Sequence, residues 1–424
     1  MADYSSVERL IARLLSTLPG LKRVAKKAYQ YANYLAHKKP YSFRSEYVLQ
    51  SLGAHSDHES FFGYYDKPPV SQDGTYIIYQ SSTHPTHLPP DSLTPVEVVC
   101  HNLPTGAVVA RLLSAAYNWQ QGTKLQWIGP DRFVFNAYDR ESDCYVAHVY
   151  DLAQGKVVRT LPMPVYDCYG DRFALTLNFD RLARLAPDYG YFCLMDRDLD
   201  LNALESDGIW RMDIDTGEGR LILSLQTLAQ LCPLTSMQGA KHSVNHIMIA
   251  PDGKRFMVIH RWYQSGRRYD RLVVCGVDGS SPTVVADEGM VSHCFWRDSA
   301  QIFGYLRSRG KDAYFMLNAD SGTVRQVGKG IIDRFGDGHP HIHGSKVVFD
   351  TYPNKARMKK LFLYDLDDGT LEELGEFFEG FKFYAETRCD LHPRFSPDGK
   401  QVFFDSVHEG RRGLYAISLV SMGS

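Results

Sequence analysis

The sequence predicts an all-β protein, a seven-bladed β-propeller with a short N-terminal helical extension. Three observations carry that expectation: a strand, Asp/Gly turn and strand signature that recurs seven times, a second turn mark that follows in step, and a lone strand-like stretch ahead of the first repeat.

The first-turn marks are VSQDGTYIIY (70–79), IGPDRFVF (128–135), LAPDYGYFCL (185–194), IAPDGKRFMVI (249–259), WRDSAQIFGY (296–305), IHGSKVVFD (342–350) and FSPDGKQVFF (395–404). Second marks such as VEVVCHNLPTGAVV, AHVYDLAQGKVV and KLFLYDLDDGTLEEL follow them. Asp-Gly and related dipeptides supply the positive φ angles that hairpin turns need, and four antiparallel strands per repeat make a propeller blade. The last repeat ends at LYAISLV with no fourth strand after it, so SEYVLQSL (45–52) is expected to join the last blade and close the ring. The expected organisation is therefore a basic helical extension over 1–44 and a propeller over 45–424.

In the extension, Leu10, Leu14, Leu18, Leu21, Val24 and Ala28 recur at helical spacing, with Arg9, Arg13, Lys22, Lys26 and Lys27 on other faces and Pro19-Gly20 dividing it into two helices. Residues 1–44 carry a net charge of +7 and the remainder −9. An acidic body argues against nucleic-acid binding. The basic segment 6–35 is either a cap on the propeller or a peripheral contact with membrane or protein. No membrane-spanning run and no secretory signal are seen, and the eight cysteines form no CxxC pair, so a cytoplasmic location with free thiols is expected, peripheral at the inner membrane if the basic segment binds there.

The first strand of every blade lines the central channel, so register can be compared between blades. Counting back eight residues from the position after the turn gives His246, His293 and His392; the sixth blade's shorter turn gives Gly338, close to His339 and His341 in DGHPHIHG. Imidazoles gathered with few carboxylates suit manganese, iron, nickel or zinc. Because strand side chains alternate, His339, His341 and His343 would share a face. The same count places Lys67 and Lys124 at this level, with Arg181 one residue away, so an electropositive mouth is expected. Tyr64, Tyr65, Arg261, Tyr263 and Arg388 add phenol and guanidinium groups to its rim, an arrangement that suits an anionic sugar.

The pattern resembles the oligogalacturonate lyase family over residues 55–420, most specifically in NHIMIAPDGKRFMVIHRW, DGHPHIH and LHPRFSPDGKQVFFDS. The resemblance implies cleavage of a uronic-acid-containing oligosaccharide by β-elimination with a divalent metal, usually manganese. It implies His293, His339 and His341 as ligands, with His392 or water as the fourth. It also implies His246 as the proton-transfer group; by their expected place at the mouth, Arg261 and Tyr65 would assist it, and Lys67, Lys124, Arg181, Tyr263 and Arg388 would contact substrate. The chain departs from the family's Gln-x-x-His-x-His run, since Gly336 or Gly338 stands where glutamine is expected. The alternative is a non-catalytic propeller that binds glycan or protein in cell-surface polysaccharide production. A propeller-gated serine peptidase is excluded, because 1–44 is too short for a hydrolase domain and no G-x-S-x-G elbow occurs.

Overall fold

The computed structural model describes residues 19–43, 45–53 and 58–419, with side chains from Lys27 onward. Among these, seven four-stranded antiparallel sheets are arranged as the blades of a propeller. Their first strands are Glu59–Phe61, Gln126–Trp127, Asp167–Tyr169, Lys241–Ile249, Val291–Trp296, His341–His343 and Arg394–Phe395. The last blade takes its outermost strand from the other end of the chain: Leu49–Leu52 pairs antiparallel with Gly413–Ser418, Leu52 opposite Leu414.

Local chemistry sets the hairpins. In VSQDGT, the Asp73 carboxylate accepts from the Ser71 hydroxyl and from the Thr75 amide, while Gly74 takes φ 75°. In FSPDGK, Asp398 repeats this with Ser396 and the Lys400 amide, and Gly399 takes φ 71°. A side chain that binds its own turn makes these positions strong punctuation. One mark reads differently. LAPDYGYFCL is no blade hairpin; Pro187–Tyr189 is a 3-10 turn that follows helix α2 (Phe179–Leu185). The third blade turns instead at Gly170, φ 56°, between Asp167–Tyr169 and Phe173–Leu177. The segment 178–207 is an insertion in that blade, and both a proline-led 3-10 turn and a hairpin can begin with Pro-Asp.

Helix α1 (Pro19–His37) begins at Pro19, a residue preset for the first helical turn. Its second half and the chain after it rest on the sixth blade: Tyr34 packs on Phe378 and Phe381, and Phe43 on Phe377. Lys39 pairs with Glu376. The expected first helix, over 6–18, lies outside the described residues.

Leu414 is fully buried at the closing pair. Leu414→Ala is expected to cost about 2–5 kcal/mol in urea unfolding. Val48→Ala, at a site 57% exposed, is expected to stay within about 0.5 kcal/mol.

Candidate metal and catalytic site

Irregular backbone on the inner strands builds the site. His246 (φ 55°), His392 (φ 46°) and Lys124 (φ 51°) all lie in the left-handed region, and Gly63 takes φ 111°. The pairing of Lys241–Ile249 slips between Asn245 and Met248, and that of Val291–Trp296 between Val291 and Cys294. Such bulges re-aim side chains that a regular strand would send to alternate faces. Here they bring four imidazoles together. The His339 ring centre lies 3.9 Å from that of His293 and 4.3 Å from that of His392, and His246 lies 5.7 Å from His293. Tyr64 and Tyr65 fill the space between them, Tyr64 at 5.0 Å from His392 and Tyr65 at 5.6 Å from His339.

The Nδ1 atoms are held from behind. His339 Nδ1 lies 2.8 Å from Asp350 Oδ1, His392 Nδ1 2.7 Å from the Gly63 carbonyl, and His293 Nδ1 3.3 Å from Asp337. In the neutral form of each ring, an Nδ1–H donated to that acceptor leaves the Nε2 lone pair unprotonated. Nε2 of His339 and of His392 are buried with no hydrogen-bond partner. His339, His392 and Asp390 offer ligand atoms within 4.8 Å of one another. Buried nitrogens without partners are costly, and two imidazoles with a carboxylate, with the His293 ring next to that of His339, are a donor set that fits a divalent transition metal.

Burial, then His293, Arg261 and Lys124, hold His246 well below its ordinary value, and its ring is neutral near pH 7. Burial and His339 lower His293, and the same pair drives His392 well down. His339 goes the other way: burial opposes its charge, but Asp350 outweighs this and raises it. Burial pushes Tyr64 and Tyr65 up, so both phenols are protonated. The Tyr64 hydroxyl meets His246 Nδ1 at 2.5 Å, and the Tyr65 hydroxyl donates to the Cys294 carbonyl at 3.0 Å.

Several expected residues do not join the cluster. His341 lies on the far side of Pro340 from His339; its ring packs on Phe295 and Phe395, and its Nδ1 accepts from the Phe395 amide. The strand begins only at His341, so alternation does not carry His339 and His341 to a common face. Arg181 is a structural tie, bound to Asp207 and to the carbonyls of Leu201 and His242. The misread third turn put it at the channel level; Tyr166 stands nearer that level, its hydroxyl accepting from the His246 amide. Nor is the mouth a field of bare cations. Lys67 pairs with Asp167 (2.5 Å), Lys124 with Asp66 (2.9 Å) and Arg261 with Asp270 (2.5 Å). Arg388 holds Asp390 at 2.6 Å and also Asp188. A buried cation without a counterion is prohibitively costly, so these cations come with their own acids. Tyr263 is half-buried beside Arg261, which lowers its phenol against the larger upward push of burial.

Asp337, Asp350 and Asp390 were absent from the expected set. Two of them carry a readable signal: Asp-x-His occurs both in DGHPH and in DLHPR. Asp350, the last residue of the strand KVVFD, carries none. A strap also crosses the mouth. The 3-10 turn Pro187–Tyr189 from the third blade meets Ala385–Thr387 next to the seventh, clamped by Asp188 and Arg388. Tyr189 packs edge-on against His246 at 5.1 Å.

With this geometry in view, no protein-family model matches the chain, and no curated protein matches it in sequence. Solved structures do. An oligogalacturonate lyase in complex with manganese is 16% identical with a TM-score of 0.61, over 91% of this chain and 98% of that one. An oligogalacturonate lyase from Vibrio parahaemolyticus is 14% identical with a TM-score of 0.59, over 91% and 99%. The shared property is the fold. At such identity the likeness extends to the seven-bladed architecture along nearly the whole of both chains, and the chemistry must be argued from this chain's residues.

Two outcomes are expected. Burial, reinforced by Arg394 against the opposing Asp66, lowers His341 from 6.5 to about 3. Its contribution to stability is then complete above about pH 6.5 and is lost progressively as the pH falls toward about 3. Thermal melts of His341→Asn, whose side-chain oxygen can still accept from the Phe395 amide, are expected to depend less on pH between these limits. Asp188→Asn, which weakens the strap, is expected to speed diethylpyrocarbonate modification of the channel histidines several-fold; unchanged rates would show that the strap does not restrict access.

Proposed function

We propose that this protein is a metal-dependent lyase that cleaves a uronic-acid-containing oligosaccharide or polysaccharide by β-elimination. The observation that carries the reading is the pair of buried, partnerless Nε2 atoms on His339 and His392, beside His293 and Asp390. These four residues would hold the ion, with manganese the first candidate and iron, nickel or zinc the others. The ion, when bound, supplies a fixed positive charge toward a carboxylate oxygen of the substrate.

The remaining chemistry falls to the chain. The hydrogen α to a uronate carboxylate is weakly acidic, and its removal needs a neutral base and nearby positive charge. His246 is neutral and sits against Tyr64. It takes the proton from C5; the electron pair forms the C4–C5 double bond, and the bond from C4 to the leaving oxygen breaks. A phenol, Tyr64 or Tyr65, returns a proton to that oxygen. Arg261 and Arg388, each held by its own carboxylate, would bind the substrate carboxylate, and Lys124 lies over the Tyr64 and Tyr166 rings at 5.6 and 4.1 Å. Tyr263 and Lys67 would make the outer substrate contacts.

Elemental analysis tests the reading directly. The purified protein is expected to carry about one divalent ion per chain or to gain one on incubation, and His339→Ala/His392→Ala to carry none. His246→Ala is expected to keep the ion and lose about 10²–10⁴-fold in formation of ultraviolet-absorbing unsaturated product. A wild type that never takes up metal would sink the proposal. The second reading, a non-catalytic glycan- or protein-binding propeller, is favoured by one observation: the strap and the self-paired cations close the mouth. It predicts glycan affinity with no product at any metal concentration.

A further inference from the structure

Helix α1 presents two unlike faces. Toward the propeller, Tyr34 packs on Phe378 and Phe381, and Lys27 lies 4.9 Å from the Tyr384 ring centre. Beside that face Ala28, Tyr31, Ala32, Leu35 and Ala36 are all exposed, with Tyr31 54% and Leu35 48% accessible, and Tyr31 forms the edge that meets the propeller. These positions follow i, i+3, i+4, i+7, i+8, the spacing of a continuous apolar stripe. Phe381, packed against Tyr31 and 37% exposed, widens it. A stripe of this kind on a helix already docked along the adjoining face has no core left to enter.

Charge says what would cover it. From Pro19 to Phe43 the chain carries Lys22, Arg23, Lys26, Lys27, Lys38 and Lys39 and not one Asp or Glu. Six cations without an acid in this stretch, of which Lys39 is taken up by Glu376 of the sixth blade, together with an apolar stripe on a helix too short of apolar residues to span a bilayer, are the features of an element that lies in a lipid–water interface. Anionic headgroups attract juxtaposed Lys and Arg by about 1 kcal/mol each. We propose that helix α1 binds an anionic lipid surface through this stripe. The geometry adds a consequence for the channel. Tyr384 and Phe381, which the helix touches, belong to the loop that continues into Arg388, Asp390 and His392, so the helix sits on the rim of the mouth that holds the histidines. The surface bound by the helix would therefore lie beside that mouth. The inference is independent of the lyase reading.

Sedimentation of the full chain with vesicles tests it. Binding is expected to vesicles of mixed phosphatidylglycerol and phosphatidylcholine, to be absent with phosphatidylcholine alone, and to weaken as salt is raised. Leu35→Glu, on the exposed face, is expected to weaken binding about tenfold or more with an unchanged melting temperature. Lys22→Glu/Lys26→Glu is expected to do the same and to flatten the salt dependence. No vesicle binding, equal binding to both compositions, or Leu35→Glu binding as the wild type would overturn the proposal. So would a dimer in solution that Leu35→Glu dissociates without lipid binding by either protein, because a second copy would then be what covers the stripe.

Discussion

Neighbouring blades are stitched together by polar side chains buried in their second strands, and the site depends on those stitches. Gln80 in the first blade accepts from the Thr123 amide at the second, and Asn136 in the second grips both the amide and the carbonyl of Val165 before the third. Asp350 in the sixth accepts from the His392 amide before the seventh, and Asp405 in the seventh from the Phe62 and Gly63 amides of the first. The backbone groups concerned lie where the inner strands leave regular pairing and would otherwise be buried without partners. Each stitch thus satisfies the irregular backbone that the next blade needs.

That irregularity is what gathers the imidazoles at the axis. A non-glycine residue at positive φ is disfavoured by about 1–2 kcal/mol and persists where its surroundings dictate it. His246 meets that condition on an inner strand, and His392 and Lys124 meet it just ahead of theirs. Asp350 both orders the His392 amide and fixes the tautomer of His339, so one carboxylate on an otherwise apolar strand aligns two of the proposed ligands. The same backbone turn that bends the strand also frees an imidazole nitrogen.

The propeller was legible because each blade repeats the same turn chemistry, and seven weak signals at matching spacing reinforce one another. The histidines were legible for the same reason: His246, His293 and His392 share an offset from their turns. Where the repeat is broken, the reading failed. The insertion 178–207 supplied a false Pro-Asp turn and carried Arg181 with it. Pro340 ended the alternation that seemed to join His341 to His339. The counterions Asp66, Asp167, Asp270 and Asp188 could not be seen either, because no sequence spacing records which acid meets which base across the channel.

The contact between Asp188 and Arg388 joins blades on opposite sides of the ring. An ion pair in that position is selective about what can replace it. An incoming carboxylate can take the place of Asp188 at the guanidinium and leave the count of buried ion pairs unchanged, while Asp188, already partly exposed, turns to water. A neutral sugar offers no such exchange, since it would part the pair and leave Arg388 with one counterion fewer. Under the proposed function the strap would act as a charge-matched gate, in which the sign of the visitor decides the cost of parting Asp188 from Arg388.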